Sequence, residues 1–351
     1  MREENREALA KALAGTSAGV LSTCLCSPLD VAKTRVQVAT TVGGAEKYDG
    51  IVRALVTIYR EEGFVGWFHG LTPAVCSVGV FWTVYFPCYD AAKERWAAAC
   101  ALPLSSPTVH VLAAGTAGCV TDVLTNPLWV VRTRLATQAL RQRAPAPAAA
   151  GAGTAAAAAS AAAAAAASAA DAGAYRGMGD AFVRMAREEG VMSFFKGLKA
   201  SLLGLSHIMI QFPLYERIKA DLEAREGEMR LQHVIAASAA SKLVASTITY
   251  PHEVIRARLQ FDRGGELGYT GLGDAFAKTL RADGVGGLWQ GFRLNIVRTI
   301  PQCIITFTAY EALCRHILAR LPGGADGARP REAHHSRLAR TPTSTPGSGG
   351  T

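Results

Sequence analysis

Residues 27–37 read SPLDVAKTRVQ, and the same pattern returns as NPLWVVRTRLA at 126–136 and as YPHEVIRARLQ at 250–260. Each copy keeps a proline and two basic residues at fixed offsets. Each is followed by a glycine landmark (in REEGFVGWFHGL, REEGVMSFFKGL and RADGVGGLWQGF) and then by a tyrosine next to an acid (in YDAAK, YERIK and YEALC). Landmarks that return three times in the same order indicate three tandem repeats of one structural unit.

The middle repeat is longer than the others because it contains an Ala-rich insert at about 141–173. Poly-Ala can form a helix. However, Ala is only weakly hydrophobic and the insert has no counterpart in the other repeats, so we interpret it as an expanded linker. The Pro-, Gly-, Ser- and Arg-rich tail is predicted to be disordered. The predicted domains are repeat one at 1–104, repeat two at 105–226, repeat three at 227–320 and the disordered basic tail at 321–351.

The composition favours a membrane protein with polar residues inside it. Hydrophobic residues make up 50% of the chain and charged residues only 19%, against about 25% charged in an ordinary soluble domain. The net charge of +9 suits an anionic substrate or the surface of an anionic bilayer. Nucleic acid is not expected as a partner, because the basic residues stand singly within apolar segments and only the tail is densely basic.

The sequence lacks the patterns typical of an enzyme or of a cofactor site. None of the eight cysteines belongs to a CxxC pair, so we interpret them as reduced structural thiols without a metal. A nucleophile–base motif and a Gly-rich phosphate loop are also absent from the sequence. We therefore predict a protein that is not an enzyme and that uses no cofactor.

Six apolar stretches each exceed the roughly 20 residues that cross a bilayer. They cover residues 8–38, 70–97, 107–138, 197–224, 231–260 and 290–320. All of them carry polar residues, which must face protein or a water-filled cavity. Three shorter amphipathic segments, at 48–62, 175–189 and 269–283, are interpreted as surface helices. The predicted fold is an all-α membrane protein whose six transmembrane helices surround a polar cavity.

Prolines and small residues should shape the packing of these spans. Pro28, Pro127 and Pro251 fall inside the odd spans, and a proline inside a helix removes a hydrogen bond and kinks the helix. Three kinks at equivalent positions would draw the helix ends toward the axis of the bundle. Gly15 and Gly19 form a GxxxG pair, which lets neighbouring helices approach closely.

The three sets of landmarks together resemble the signature of the mitochondrial carrier family over about residues 8–320. The resemblance implies three two-helix repeats with threefold pseudosymmetry, and alternating access between the two sides of an organelle membrane. The mitochondrial inner membrane is the expected location, with plastid and peroxisomal membranes as alternatives, and we expect a monomer. His69 and Gln290 replace the basic residue expected before two glycine landmarks, at positions where the family meets lipid headgroups such as cardiolipin.

The resemblance implies a closing set of residues at the matrix end, here called the matrix gate: Asp30, Lys33, Arg132, Glu253, Arg256, Gln37 and Gln260. Its implied ion pairs join Asp30 to Arg132 and Lys33 to Glu253, and the two glutamines brace the gate. Trp129 stands where the third acid is expected. Arg256 should therefore lack its acidic partner, and the gate should be weaker than a complete ring.

A second set, here called the cytoplasmic gate, closes the opposite end: Asp90, Lys93, Glu216, Lys219 and Glu311. The resemblance pairs Asp90 with Lys219, and Glu311 with Lys93. Cys314 stands where the third base is expected, so Glu216 lacks its partner. Exposed pairs of this kind contribute on the order of 1 kcal/mol or less each, which suits a gate that must open.

Candidate substrate-binding residues come from helical phase and from the resemblance: Trp82, Tyr85, Gly204, Leu205, Arg298 and Lys242. Lys242 shares one helical stripe with Ser246, Thr249 and Glu253, and a lysine within a span is a functional candidate. The other five correspond to the family's contact positions. Arg298 could bind phosphate in a bidentate manner, Gly204–Leu205 could form a slot for adenine, and the Trp82 indole could stack on a second ring.

A finer resemblance narrows the substrate. NPLWVVRTR, with tryptophan in the acid position, is similar to the branch that carries NAD, FAD or folates, and pyrimidine nucleotides. SHIMIQFPLYERIK and LNIVRTIPQCIITFTAYE resemble plant-type NAD carriers. The expected function is exchange of NAD⁺ for an adenine nucleotide such as AMP or ADP. The alternatives are FAD, folate or pyrimidine nucleotide transport on the same fold, and a membrane scaffold that does not transport.

Overall fold

The computed structural model describes residues 3–48, 50–142, 174–226 and 231–320, and every regular element in these ranges is helical. Apart from its first two residues, the Ala-rich insert lies outside the described residues, and so does the tail from 321. The linker and the disordered tail therefore stay predictions, as do the domain boundaries.

The helices are, in chain order, α1 Glu3–Ala39, α2 Ile51–Glu62, α3 Leu71–Cys100, α4 Pro107–Gln142, α5 Met178–Glu188, α6 Leu198–Gly204, α7 Ser206–Glu226, α8 Leu231–Thr249, α9 Pro251–Phe261, α10 Leu272–Gly287 and α11 Phe292–Arg320. The predicted spans correspond to α1, α3, α4, α6 with α7, α8 with α9, and α11. The predicted surface helices correspond to α2, α5 and α10.

The surface of the bundle suits a lipid environment. Two segments of the described chain, Phe64–Cys100 and Pro107–Gln142, are long and apolar enough to cross a membrane by length and composition alone. Large apolar side chains are exposed on the other spans as well, including Leu25 on α1, Ile248 on α8 and Ile304 on α11. Helices are able to span lipid because they satisfy their own backbone hydrogen bonds.

The spans close into a ring because the last repeat packs against the first. The main contacts join neighbouring repeats: α11 packs against α1, α3 against α4, and α7 against α8. Small residues permit this closeness. A Cβ at Gly19 would lie 3.2 Å from Val78 Cγ1, and one at Gly118 only 2.8 Å from Leu205 Cδ2.

The three motif prolines do not act alike. Pro28 and Pro127 lie inside the continuous helices α1 and α4, whereas Pro251 begins α9 directly after Tyr250. Each proline removes a helical hydrogen bond, but only the third interrupts its span. The fourth span has a break of its own at Leu205, between α6 and α7.

The glycine landmarks join each repeat to the next one. Gly70, Gly197 and Gly291 have φ of 82°, 76° and 79° and precede the even spans. A Cβ there would lie 2.8, 3.2 and 3.4 Å from the backbone oxygens of Arg132, Arg256 and Lys33, respectively. Glycine is required both for this left-handed conformation and for the close approach. The even span of each repeat is thereby anchored beside a basic gate residue of the following repeat.

A buried arginine in each repeat ties the surface helices to the ring. Arg35, Arg134 and Arg258 are at most 3% exposed and are the second basic residues of the motif. They pair with Glu62, Glu189 and Asp283, respectively. Each arginine also donates its Nε–H to a backbone oxygen of the next repeat, at Ala136, Gln260 and Gln37. Breaking such a buried pair costs about 3–5 kcal/mol.

Candidate functional site

A cavity of about 470 Å³ lies between α6–α7, α8–α9 and α11. Gly204, Lys242 and Arg298, three of the predicted substrate-binding residues, line this one cavity. Ser246, Thr249 and Glu253, which share the predicted stripe with Lys242, line it as well. The structure therefore brings two cations and a row of polar groups together in a volume typical of small-molecule sites.

The other three predicted substrate-binding residues do not line this cavity. Leu205 packs against Gly118 on α4, so its side chain forms part of a helix–helix contact. Tyr85 stacks on Phe81, with ring centroids 5.3 Å apart. Trp82 is 41% exposed and stacks on Phe86 at 5.2 Å. Trp82 and Phe86 lie eight and four residues before Asp90 of the cytoplasmic gate, and therefore on the same face of α3.

The adenine slot expected at Gly204–Leu205 is not open in this conformation. A Cβ at Gly204 would lie 2.6 Å from Nε2 of His252, so an imidazole covers the glycine. His252 and His207 both line the cavity, and His207 Nδ1 lies 3.3 Å from the Thr249 hydroxyl. His252 was not predicted as a site residue from the sequence, although it stands next to Glu253 in the repeated motif.

Arg298 connects the cavity to the matrix gate. Its Nη1 donates to Asp30 Oδ1 at 2.7 Å, and its Nη2 lies 3.4 Å from Asn295 Oδ1. Its Nε is buried and has no hydrogen-bond partner among the described residues. The residue predicted to bind phosphate thus already holds a gate carboxylate and keeps one unused donor.

Both implied ion pairs of the matrix gate are present. Arg132 Nη2 lies 2.8 Å from Asp30 Oδ2, and Lys33 bonds to Glu253. Lys33 also donates to Asn295 Oδ1 at 2.8 Å. The bundle is closed at this end.

The two gate glutamines contact neighbouring helices and not the ion pairs. Gln37 donates to the Tyr250 hydroxyl at 3.0 Å, and Gln260 accepts from the Thr133 hydroxyl at 2.8 Å. Both are almost fully buried. They connect repeats one and three, and repeats two and three, just beyond the charged ring.

Arg256 has a partner that the sequence did not reveal. Its guanidinium lies 5.1 Å from the centre of the Trp129 indole, and that of Arg132 lies 4.9 Å from the same ring. Among the described residues, Arg256 makes no ion pair. The indole thus lies beside Arg256 at the position where the other repeats have a carboxylate. That the gate is weaker than a complete ring stays a prediction.

The cytoplasmic gate is open in this conformation. The implied pairs Asp90–Lys219 and Glu311–Lys93 are not formed among the described residues. Glu311 instead pairs with Arg315 one turn away at 3.5 Å, and both side chains are mostly exposed. The ion pairs of the matrix gate are therefore formed while those of the cytoplasmic gate are not, as expected for a ring of spans that is closed at one end and open at the other.

These features define a membrane transporter with a charged cavity inside its bundle of helices. The chain belongs to the mitochondrial carrier protein family, which it matches over residues 4–98, 104–225 and 227–320. The three matches confirm the predicted all-α fold of three two-helix repeats with six transmembrane helices. Members of this family are transporters, so the chain is not an enzyme.

The most similar relatives include three transporters. The chain is 36% identical to nicotinamide adenine dinucleotide transporter 2, mitochondrial, of Arabidopsis thaliana, over 88% of the chain and 80% of the relative. It is 37% identical to nicotinamide adenine dinucleotide transporter 1, chloroplastic, of the same plant, over 91% of the chain and 95% of the relative. It is 35% identical to mitochondrial nicotinamide adenine dinucleotide transporter 1 of Saccharomyces cerevisiae, over 86% of the chain and 75% of the relative.

Proposed function

We propose that this carrier exchanges NAD⁺ for an adenine nucleotide such as AMP or ADP by alternating access. The observation that carries the proposal is the cavity that Arg298 and Lys242 both line. Arg298 also bonds Asp30 of the closed matrix gate. Relatives that the chain matches over 75–95% of their length are named as NAD transporters. NAD⁺ and its counter-substrate share an adenosine and a phosphate group, so one site can serve both.

The phosphates of the substrate are bound by Arg298 and Lys242. The planar guanidinium of Arg298 suits bidentate contact with phosphate oxygens, and its unpartnered Nε supplies a further donor. Lys242 adds a point charge from α8. Two cations match the two negative charges of a pyrophosphate group.

The rings of the substrate contact the His252 imidazole in the cavity and the aromatic side chains of α3 outside it. Because the His252 imidazole covers Gly204, adenine stacks on this imidazole in place of the bare backbone. The Trp82 indole and the Phe86 ring are stacked on each other and exposed on α3, so they can offer a face to the nicotinamide ring. Tyr85 and Leu205 support this arrangement by packing and do not touch the substrate.

Substrate binding opens the matrix gate through Arg298. A phosphate that binds Arg298 competes with Asp30, which then keeps only its contact with Arg132. Losing one of its two cationic partners weakens the binding of Asp30 at the matrix gate. The matrix gate then opens as the cytoplasmic gate closes. Binding energy from the correct substrate thus shifts the population of the two states.

The groove between the start of α2 and the start of α11 is proposed to bind an anionic lipid headgroup such as that of cardiolipin. It is lined by residues that include Gly50, Arg53, Gln290 and Arg293. His69 contacts Glu62 at 3.0 Å, so at that landmark the side chain faces the protein. We propose the mitochondrial inner membrane as the location and a monomer as the working unit, with a plastid membrane as the alternative location.

Uptake by proteoliposomes tests the proposed substrate. Purified carrier is reconstituted with internal AMP, and uptake of labelled NAD⁺, FAD, folate and a pyrimidine nucleotide is measured side by side. We expect NAD⁺ to enter fastest, and only when AMP or ADP is inside. Uptake of folate, FAD or a pyrimidine nucleotide without NAD⁺ uptake would reject the proposal in favour of that substrate.

A further inference from the structure

Trp129 occupies the gate position at which the equivalent residues of the other repeats are Asp30 and Glu253. Those two carboxylates form the ion pairs of the closed gate. The centre of the Trp129 indole instead lies 4.9 Å from the guanidinium of Arg132 and 5.1 Å from that of Arg256. We propose that Trp129 is the third gate residue, and that it closes the matrix end by binding both arginines through cation–π contacts.

The geometry supports an attractive contact. Both guanidinium carbons lie within the ~6 Å of the ring centre at which a cation is attracted by the face of an indole. Tryptophan has the strongest such attraction among the aromatic side chains, and loss of water at a closed gate strengthens it. Arg256 forms no ion pair with a described residue, although the charge of Asp122 acts on it electrostatically.

The indole gives the gate a property that a carboxylate would not. The charged ring holds three cations, Lys33, Arg132 and Arg256, against the two acids Asp30 and Glu253. A third acid would neutralise the ring and repel a passing phosphate group. An indole holds the arginines in the closed state without adding negative charge, so both guanidinium groups become available to an anionic substrate when the gate opens.

A double-mutant cycle tests the contact without relying on transport. Thermal unfolding midpoints are measured for the full chain in lipid with Trp129→Leu, Trp129→Phe, Arg256→Gln and the Leu/Gln double variant. We expect Trp129→Leu to lower the midpoint more than Trp129→Phe does, because phenylalanine keeps a weaker cation–π contact. Arg256→Gln should have little further effect once Trp129 is leucine.

Trp96→Leu is the matched control, because the Trp96 indole bonds to Thr116 and has no cation over its ring among the described residues. Its effect should add to that of Arg256→Gln. The proposal is overturned if Trp129→Leu and Arg256→Gln are additive, or if Arg256 couples to Asp122→Asn but not to Trp129.

The second measurement rests on the proposed transport function. Proteoliposomes loaded with labelled substrate are diluted into buffer without counter-substrate, and efflux is followed. Trp129→Leu should raise this leak by about 2-fold to 30-fold, with Trp129→Phe in between. An unchanged leak together with a positive unfolding cycle would show that the contact is structural and not a gate. Absence of any NAD⁺ flux in the unaltered carrier would reject the proposed substrate and leave the unfolding cycle valid.

Discussion

Arg298 Nη1 lies 2.7 Å from Asp30 Oδ1, so a candidate substrate-binding cation and a gate acid are bonded to each other across 268 residues of sequence. Asp30 bonds Arg132 through its other oxygen at 2.8 Å. One carboxylate thereby connects the cavity to the closed end of the bundle. Any ligand that takes Arg298 away changes the charge balance of the gate directly.

Replacing Arg298 should separate the roles of charge and shape at this position. We expect Arg298→Ala to lower NAD⁺ exchange by at least about 100-fold, because it removes a charge-assisted contact and frees Asp30. Arg298→Lys keeps the charge but cannot bind bidentately, so exchange should fall about 10-fold. Initial rates in proteoliposomes give the measurement. Equal rates for Arg298→Lys and the unaltered carrier would argue against a bidentate phosphate contact.

The Arg35–Glu62 pair should make stability depend on acid pH. Burial would raise the pKa of Glu62, but hydrogen bonds from Arg35 and His69 lower it from 4.5 to about 2. A depressed pKa stabilises the fold above the ordinary value of 4.5, and this stability is lost as pH falls from 4.5 toward 2. Glu62→Gln should cost about 3–5 kcal/mol near pH 7 and flatten the pH dependence of unfolding.

Glu61→Gln is the matched control for this prediction. Glu61 lies next to Glu62 on α2 and pairs with the exposed Lys47 at 3.5 Å, so its loss should cost about 1 kcal/mol or less. Unfolding midpoints measured from about pH 3 to about pH 7, in steps of about one pH unit, compare both variants with the unaltered chain. A Glu62→Gln variant no less stable than Glu61→Gln would contradict the role assigned to the buried pair.

The glycine landmarks should tolerate no side chain. At Gly70, φ is 82° and an added Cβ would lie 2.8 Å from the Arg132 backbone oxygen. Gly70→Ala should destabilise the carrier by roughly 2 kcal/mol or more, from left-handed strain and from the clash. Gly179→Ala, inside α5 with open space around its Cβ position, should be neutral or stabilising, since alanine favours a helix. Thermal unfolding of both variants checks the difference.

Completing the cytoplasmic gate should slow its opening. Cys314 occupies the place of the third base, and Cys314→Lys would supply a partner for Glu216 when that end closes. An exposed pair contributes up to about 1 kcal/mol, so exchange should fall by no more than about 5-fold. Cys314→Ser controls for loss of the thiol. If both variants exchange NAD⁺ at the same rate, Glu216 and position 314 do not meet in the closed state.

Much of the architecture could be read from local patterns. The three prolines with their basic residues mark the repeats, and the length of the apolar stretches marks the spans, because both signals lie within single segments of chain. The glycine landmarks were visible as a pattern. The reason that glycine is needed there could not be predicted, because the backbone oxygen that lies against each glycine belongs to another repeat.

Contacts between distant segments were decided by the closure of the ring. The contact of Arg298 with Asp30 depends on repeat three packing against repeat one. What covers Gly204 and where the Arg256 guanidinium lies depend on repeat three packing against repeat two. Sequence spacing places residues on a face of a helix, and it carries no information on which face of another helix stands opposite. The partners of charged and aromatic side chains depend on distances in space, and those distances are set only when the chain folds.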